Sequence, residues 1–254
     1  MFTINCYGII TIFFFEIKDF FKEYQFNIIA PLINTLLFFL ILSTIHKYYT
    51  IDIKESSYIN FLIPGIIMMV VIQTSFNHLS EVIIAMKQIG SFNDYLVSPI
   101  SRIEIFMSLI LSSIFVCLFV GILNLLILSF FTNFYQIDYI NLFYYLILAI
   151  IIFASIGALT GFLSFTWDVQ STISNFFIVP ISLFSGTFFS INAINEKWQF
   201  LFNYNPFYHL VNGFRSSFDN NNLDQLSEII ILITVLFFFA STLFVFQKGF
   251  KVIF

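Results

Sequence analysis

This sequence predicts an all-α integral membrane protein with six transmembrane helices and an N-terminal amphipathic interfacial helix, on three observations. Of the 254 residues, 59% are apolar and only 9% are charged, against roughly 25% charged in an ordinary soluble domain. Mean hydropathy is +0.96, and the chain holds too little polar material to cover a water-exposed surface of this size. The charges also bound six charge-free intervals after Glu23, at 24–46, 56–80, 105–137, 139–167, 169–195 and 229–247. Each interval has room for the about 20 apolar residues that a helix needs to cross a bilayer.

The interfacial helix is expected at 8–25. Phe13, Ile17, Phe20, Phe21 and Tyr24 recur at helical spacing, with Glu16, Lys18, Asp19, Lys22 and Glu23 in the complementary positions, the pattern of a helix lying in the membrane interface. No basic stretch precedes an apolar core, so the segment does not read as a signal peptide. Spans follow near 26–45, 58–80, 105–131, 139–166, 170–190 and 229–247. Pro180 falls inside the fifth and is expected to kink or break it. The 17 residues between Lys197 and Arg215 do not easily hold a span, and NYNPF (203–207) within them reads as a turn.

Six spans put both termini on one side. If that side is cytoplasmic, it carries Lys18, Lys22, Lys87, Arg102, Lys248 and Lys251, against Lys47, Lys54, Lys197 and Arg215 outside. That is a weak excess in the positive-inside direction.

Several function classes drop out. The net charge of −4 is small and spread along the chain, so nucleic acid is not an expected partner. Cys6 and Cys117 are the only cysteines, and neither a disulfide framework nor a CxxC metal pattern is expected. There is no HExxH, nucleophile elbow, carboxylate cluster or GxxxxGK[ST] loop, so the chain does not read as an enzyme or a nucleotide binder. Energy for any work on a substrate must come from another polypeptide. The abundance of Phe, Ile and Asn follows their AT-rich codons and is not read as an aromatic cage.

None of the six intervals contains Asp, Glu, Lys or Arg, which argues against an ion-coupled secondary transporter or a channel, the alternatives within transport. His46 and His78 fall near span ends and His209 in the outer loop. His78 and Glu81, one turn apart, read as a solvated helix end; the other reading is a polar pair at the inner mouth. The spans do contain Asn34, Thr35, Gln73, Asn77, Asn124, Thr172, Ser174 and Asn175. Such groups face another helix or a watery path unless they bond to their own backbone. Gln73 and Asn77 share one face and are expected to be packed or path-lining. GALTG (157–161) suits close helix contact, within the chain or between two copies.

Between two apolar runs, SFNDYLVSPISRIEIF (91–106) keeps Asp94, Arg102 and Glu104. FLIPGIIMM (61–69), then YLVSPISRIEI (95–105), VPISLFSGTFFSI (179–191), Trp198 and NPFYHLVNGFR (205–215) resemble, in that order, the membrane subunits of type-2 ABC exporters, in the short bacterial drug and polysaccharide export branch. The resemblance covers essentially the whole chain, 1–254, as one transmembrane domain. It implies a multi-pass protein of the bacterial cytoplasmic (inner) membrane with both termini cytoplasmic. Two copies would form the path, each docking one ABC-type ATPase subunit, with ATP and magnesium held by that partner and no cofactor on this chain. A scaffold that uses the ATPase only to move a partner protein would look the same.

The resemblance also gives the polar segment a role. It makes 81–102 a cytoplasmic coupling segment: Phe92, Tyr95, Leu96 and Val97 supply apolar anchors, Asp94 and Arg102 fix register, and Asn93 and Ser98 complete the element. Pro99 ends its helix, because the residue before a proline avoids the α region. The resemblance further implies re-entrant outer helices in 191–218, with Trp198, Tyr204, Asn205, Pro206 and Arg215, and a translocation path along spans 2 and 5 bordered by Gln73, Asn77, Ser174, Asn175 and Phe176. Two departures stand out. INAINEKW (191–198) lacks the prolines relatives carry before the Trp, and SFTWDVQ (164–170) lacks an expected basic residue.

Overall fold

A computed structural model describes residues 6–49, 55–132, 137–164, 166–188, 195–219 and 224–249, and their regular structure is entirely helical. Helix α1 (Cys6–Lys22) leads through a π-helical turn (Gln25–Ile29) into α2 (Ala30–Tyr49). Then come α3 (Glu55–Ile89), α4 (Ser91–Val97), α5 (Arg102–Ser129) and α6 (Tyr139–Leu163). A rod in three pieces follows: α7 (Trp167–Ile173), a second π-helical turn (Ser174–Ile178) and α8 (Val179–Phe184). Helices α9 (Glu196–Asn203), α10 (Pro206–Asp219) and α11 (Gln225–Gly249) complete the order.

Among the described residues, five helices are long and apolar enough to cross a membrane: Gln25–Ile45, Tyr58–Ile89, Arg102–Ser129, Tyr139–Leu163 and Gln225–Lys248. The expected span 170–190 is not among them; there the chain forms the α7–α8 rod. From Trp167 to Phe184 it has 18 residues, about 27 Å of helix. Pro180 does not break it outright. It stands at the start of α8 directly after the π-helical turn, where a widened turn takes up the missing backbone donor.

Helices α3 and α6 form the enclosed centre, while α2 and α11 lie at the periphery with most residues facing outward. Two glycines explain the central contact. A Cβ added at Gly157 would come within 2.3 Å of the Phe76 carbonyl oxygen, and one at Gly161 within 3.0 Å of that of Ser80. The two backbones therefore touch only because these positions lack side chains, so GALTG is used inside the chain. Phe76 and Phe153 fill the layer around that contact and are fully buried. Thr242 on α11 donates across to the Ser155 carbonyl of α6 at 3.1 Å.

Helix α3 runs on past Glu81 and Lys87 to Ile89, so the first residues of 81–102 are its last turns. Single charges at a helix end facing polar surroundings do not stop a helix; Gly90 does, at φ 80, a backbone state that a side chain penalises. Helix α5 begins with a capping box, Ser101 accepting from the Glu104 N–H while Glu104 accepts from that of Ser101.

Helix α1 corrects the face assigned from its pattern. Its buried stripe is Gly8, Ile12, Glu16 and Phe20, so Glu16 lies inward, while Phe21 and Tyr24 are exposed. The cause is its crossing with α5. Phe13 meets Phe115 and Phe21 meets Phe119, so eight residues of α1 advance against four of α5, an oblique packing that turns the 8–12–16–20 line to the bundle.

Candidate functional site

Helix α4 is displayed at the end of the bundle where α3 stops and α5 starts. Asp94, Val97 and Pro99 are exposed, Val97 at 88%. Tyr95 is half-buried and packs with Ile100 on the cluster of Leu79, Ile83, Met86, Ile105 and Phe106. Burial, with smaller contributions from the carboxylates of Glu16 and Asp94, holds its phenol above the ordinary range. Ser98 donates to the Tyr95 carbonyl at 2.7 Å and closes the helix before Pro99. Arg102 Nη1 donates to the Gln247 carbonyl at 2.5 Å, reaching α11. Phe92, Asn93 and Leu96 belong to the α4 backbone; their side chains lie outside the described part of the structure.

A brace not read from the sequence ties this end together. Lys87 Nζ donates to the carbonyls of Gly161 (2.7 Å), Phe162 and Ser164 (3.1 Å). These are the last carbonyls of α6 and its flank, which have no donor within their own helix, and a cation there also complements the helix dipole. Next to it, Trp167 Nε1 donates to Gln88 Oε1 at 2.6 Å. The basic residue missing from SFTWDVQ is thus supplied by α3. The available signal was a lysine one turn before a glycine at a helix end, but its partner is 74 residues away in sequence.

The uncharged polar residues of the spans divide into two groups. Thr35, Asn124 and Thr172 bond to carbonyls of their own helices, at 2.7–2.8 Å. Gln73 and Asn77 instead cross to the rod: Gln73 Nε2 donates to Ser182 Oγ at 3.0 Å, and Asn77 Oδ1 accepts from Ser174 Oγ at 3.0 Å and Gln170 Nε2 at 3.2 Å. Gln170 also reaches Ser80 Oγ at 3.1 Å. Gln73, Asn77 and Ser174 therefore form one seam, whereas Asn175 and Phe176 are exposed on the opposite side of the rod. Gln170 and Ser182 were missed because each is unremarkable in its own helix.

Beside the seam, α1, the first π-helical turn, α3 and α7 line an open cavity of about 420 Å³. His78 and Glu81 line it and are not a solvated helix end; His78 Nδ1 meets Ser113 Oγ at 3.0 Å and its ring stands edge-on to Phe20. Glu16 lines it too. Burial first, and Asp19 second, push the Glu16 carboxyl from 4.5 up to about 7.

Toward the other end of α3, helices α9 and α10 occupy part of the segment 191–218. Asn195 caps α9 by accepting from the Lys197 N–H, and Asn205 accepts from that of Phe207 at the start of α10, next to Pro206. Trp198 and Tyr204 are exposed. Arg215 is not a solvated loop charge: it is 8% exposed, lies 3.7 Å from the Phe61 ring centroid, and donates to the carbonyls of Phe61 (3.3 Å) and Gly186 (3.0 Å). It pins α10 to α3 and to the turn after α8. Residues 191–194 lie outside the described residues.

These features define a polytopic helical membrane protein whose polar contacts concentrate at its helix ends and along one interhelical seam. The particular family follows from comparison with known proteins. The sequence model of the ABC-2 type transporter family matches residues 7–218, and the chain belongs to that family, as a transport subunit and not a catalytic one. It is similar to the inner membrane transport permease YadH of Escherichia coli K12, 28% identical over 203 residues covering 80% of this chain and 79% of the relative. The Shigella flexneri protein of the same description matches to the same extent.

Proposed function

We propose that this chain is the permease subunit of an ATP-driven exporter in the bacterial inner membrane, two copies forming the path and each docking one ATPase that binds ATP and magnesium. The observation that carries the reading is the mounting of α4. A docking element must present side chains outward and pass force inward. Asp94 and Val97 point out, while Tyr95 seats α4 on α3 and α5, and Lys87 and Gln88, just ahead of Gly90, grip the end of α6 and the start of α7. A push on α4 is thereby shared by four helices.

In this reading the α7–α8 rod is the sixth crossing, which puts both termini in the cytoplasm, with α9 and α10 as the re-entrant outer helices. The Gln73–Ser182 and Asn77–Ser174 bonds hold the rod to α3. ATP binding would close the two ATPase subunits, and rigid shifts of α3 and α5 would open the path outward.

The test is purification of the tagged chain in mild detergent from its own host. A stoichiometric P-loop ATPase that is lost when 92–102 is altered supports the reading. A chain that emerges alone under several mild conditions sinks it, and a self-sufficient carrier or channel would take its place.

A further inference from the structure

The cavity between α1, α3 and α7 has a chemistry that neither the coupling segment nor the seam uses. Its volume, about 420 Å³, lies in the small-ligand range of roughly 300–1,000 Å³. Glu16, Asp19, Glu23 and Glu81 line it with the rings of Phe26 and Trp167, and no Lys or Arg is among its lining residues. It opens outward past Asp19, Glu23 and Phe26, which are exposed.

Glu16 indicates what the cavity takes. It is only 5% exposed, faces the cavity, and has no hydrogen-bond or ionic partner among the described residues. A buried carboxylate without a partner is costly, so this position calls for a proton or a cation from outside the chain. A metal ion is a poor fit: among the described residues no three His, Cys, Asp or Glu side chains converge. Carboxylates spaced around a chamber with aromatic walls suit a cation whose charge is spread over an apolar body, because the rings attract the charge and cover the body.

We propose that this cavity binds an organic cation, an ammonium or phosphonium group on an apolar body. The assignment rests on the transport reading above and names its substrate class. The same chemistry is available from a free amphipathic cation or from the amine headgroup of a lipid.

The full-length chain carrying Trp198→Phe, in dodecyl maltoside, leaves Trp167 on the cavity wall as its only tryptophan. Tetraphenylphosphonium should change Trp167 fluorescence saturably, while tetraphenylborate, nearly the same shape with opposite charge, should not. Glu16→Gln with Glu81→Gln should weaken the phosphonium at least about tenfold. Competition by added phosphatidylethanolamine would assign the headgroup as the source, and its absence a free cation. Equal responses to both ions, unchanged affinity in the double variant, or displacement by millimolar magnesium would each overturn the proposal. The ion comparison needs no cavity variant, so it stands even if the glutamines impair folding. ATPase retention is read separately: binding lost with the ATPase retained removes the substrate class alone, and the reverse removes the transport reading alone.

Discussion

Lys87 on α3 donates to the Gly161 carbonyl of α6 at 2.7 Å, so the helix that leads into α4 also closes the end of the helix at the centre of the bundle. Lys87→Met keeps the apolar stem but leaves the carbonyls of Gly161, Phe162 and Ser164 without that donor. The expected loss is about 2 kcal/mol, which for a chain of this size lowers the thermal midpoint by roughly 4–8 °C. Lys87→Arg should retain most of the stability. An unchanged midpoint in the methionine variant would show that water serves those carbonyls equally well.

Glu16 makes the docking of α1 depend on pH. Its carboxyl titrates near 7 when α1 is docked and near 4.5 otherwise, so its favourable contribution is complete below 4.5 and is lost as pH rises through about 7. Asp19 and Glu23, which follow it in the chain, His78 and Glu81 on α3, and Tyr95 on α4 are the titratable groups around it. Thermal stability should fall between pH 5 and 8, and Glu16→Gln should flatten that slope.

Asp94 is exposed on α4, whereas Tyr95 seats the helix. Asp94→Ala with Tyr95→Ala should therefore abolish export and reduce ATPase retention about tenfold (about 1.4 kcal/mol), with membrane insertion intact. Asp94→Ala alone should lower retention without a change in melting. Unimpaired export by the double variant would count against α4 as the coupling element.

At Gly157 even a methyl group meets the Phe76 carbonyl oxygen at 2.3 Å. Gly157→Ala must push α6 away from α3, at roughly 2–3 kcal/mol. Broadened gel-filtration profiles and lower yield are expected, and a variant as stable as the parent would show that this helix contact has slack.

Arg215→Lys keeps the charge but loses the planar group that lies over Phe61 and spans two carbonyls. The expected cost is roughly 1–2 kcal/mol, read as faster proteolysis within 195–219. Equal protease resistance would mean that α10 is held by its apolar face alone.

Composition alone determined the solvent of this protein, because 9% charge cannot cover a water-facing surface. Charge spacing marked the membrane segments for the same reason: hydrocarbon rejects ions along a whole span, a signal that is local and additive. Pro99 marked the end of α4 because a proline restricts the residue just before it; the capping box of Ser101 and Glu104 that starts α5 is equally local. What chain-local signals cannot carry is which face of a helix meets which neighbour. Tertiary structure alone decided that Glu16 turns inward, that Gly157 serves α3, that Lys87 closes α6, and that Asn77 joins Gln170 and Ser174 while Asn175 turns away. Each of these depends on a partner tens of residues distant, and on a helix rotation set by packing in which every face of an apolar helix looks alike.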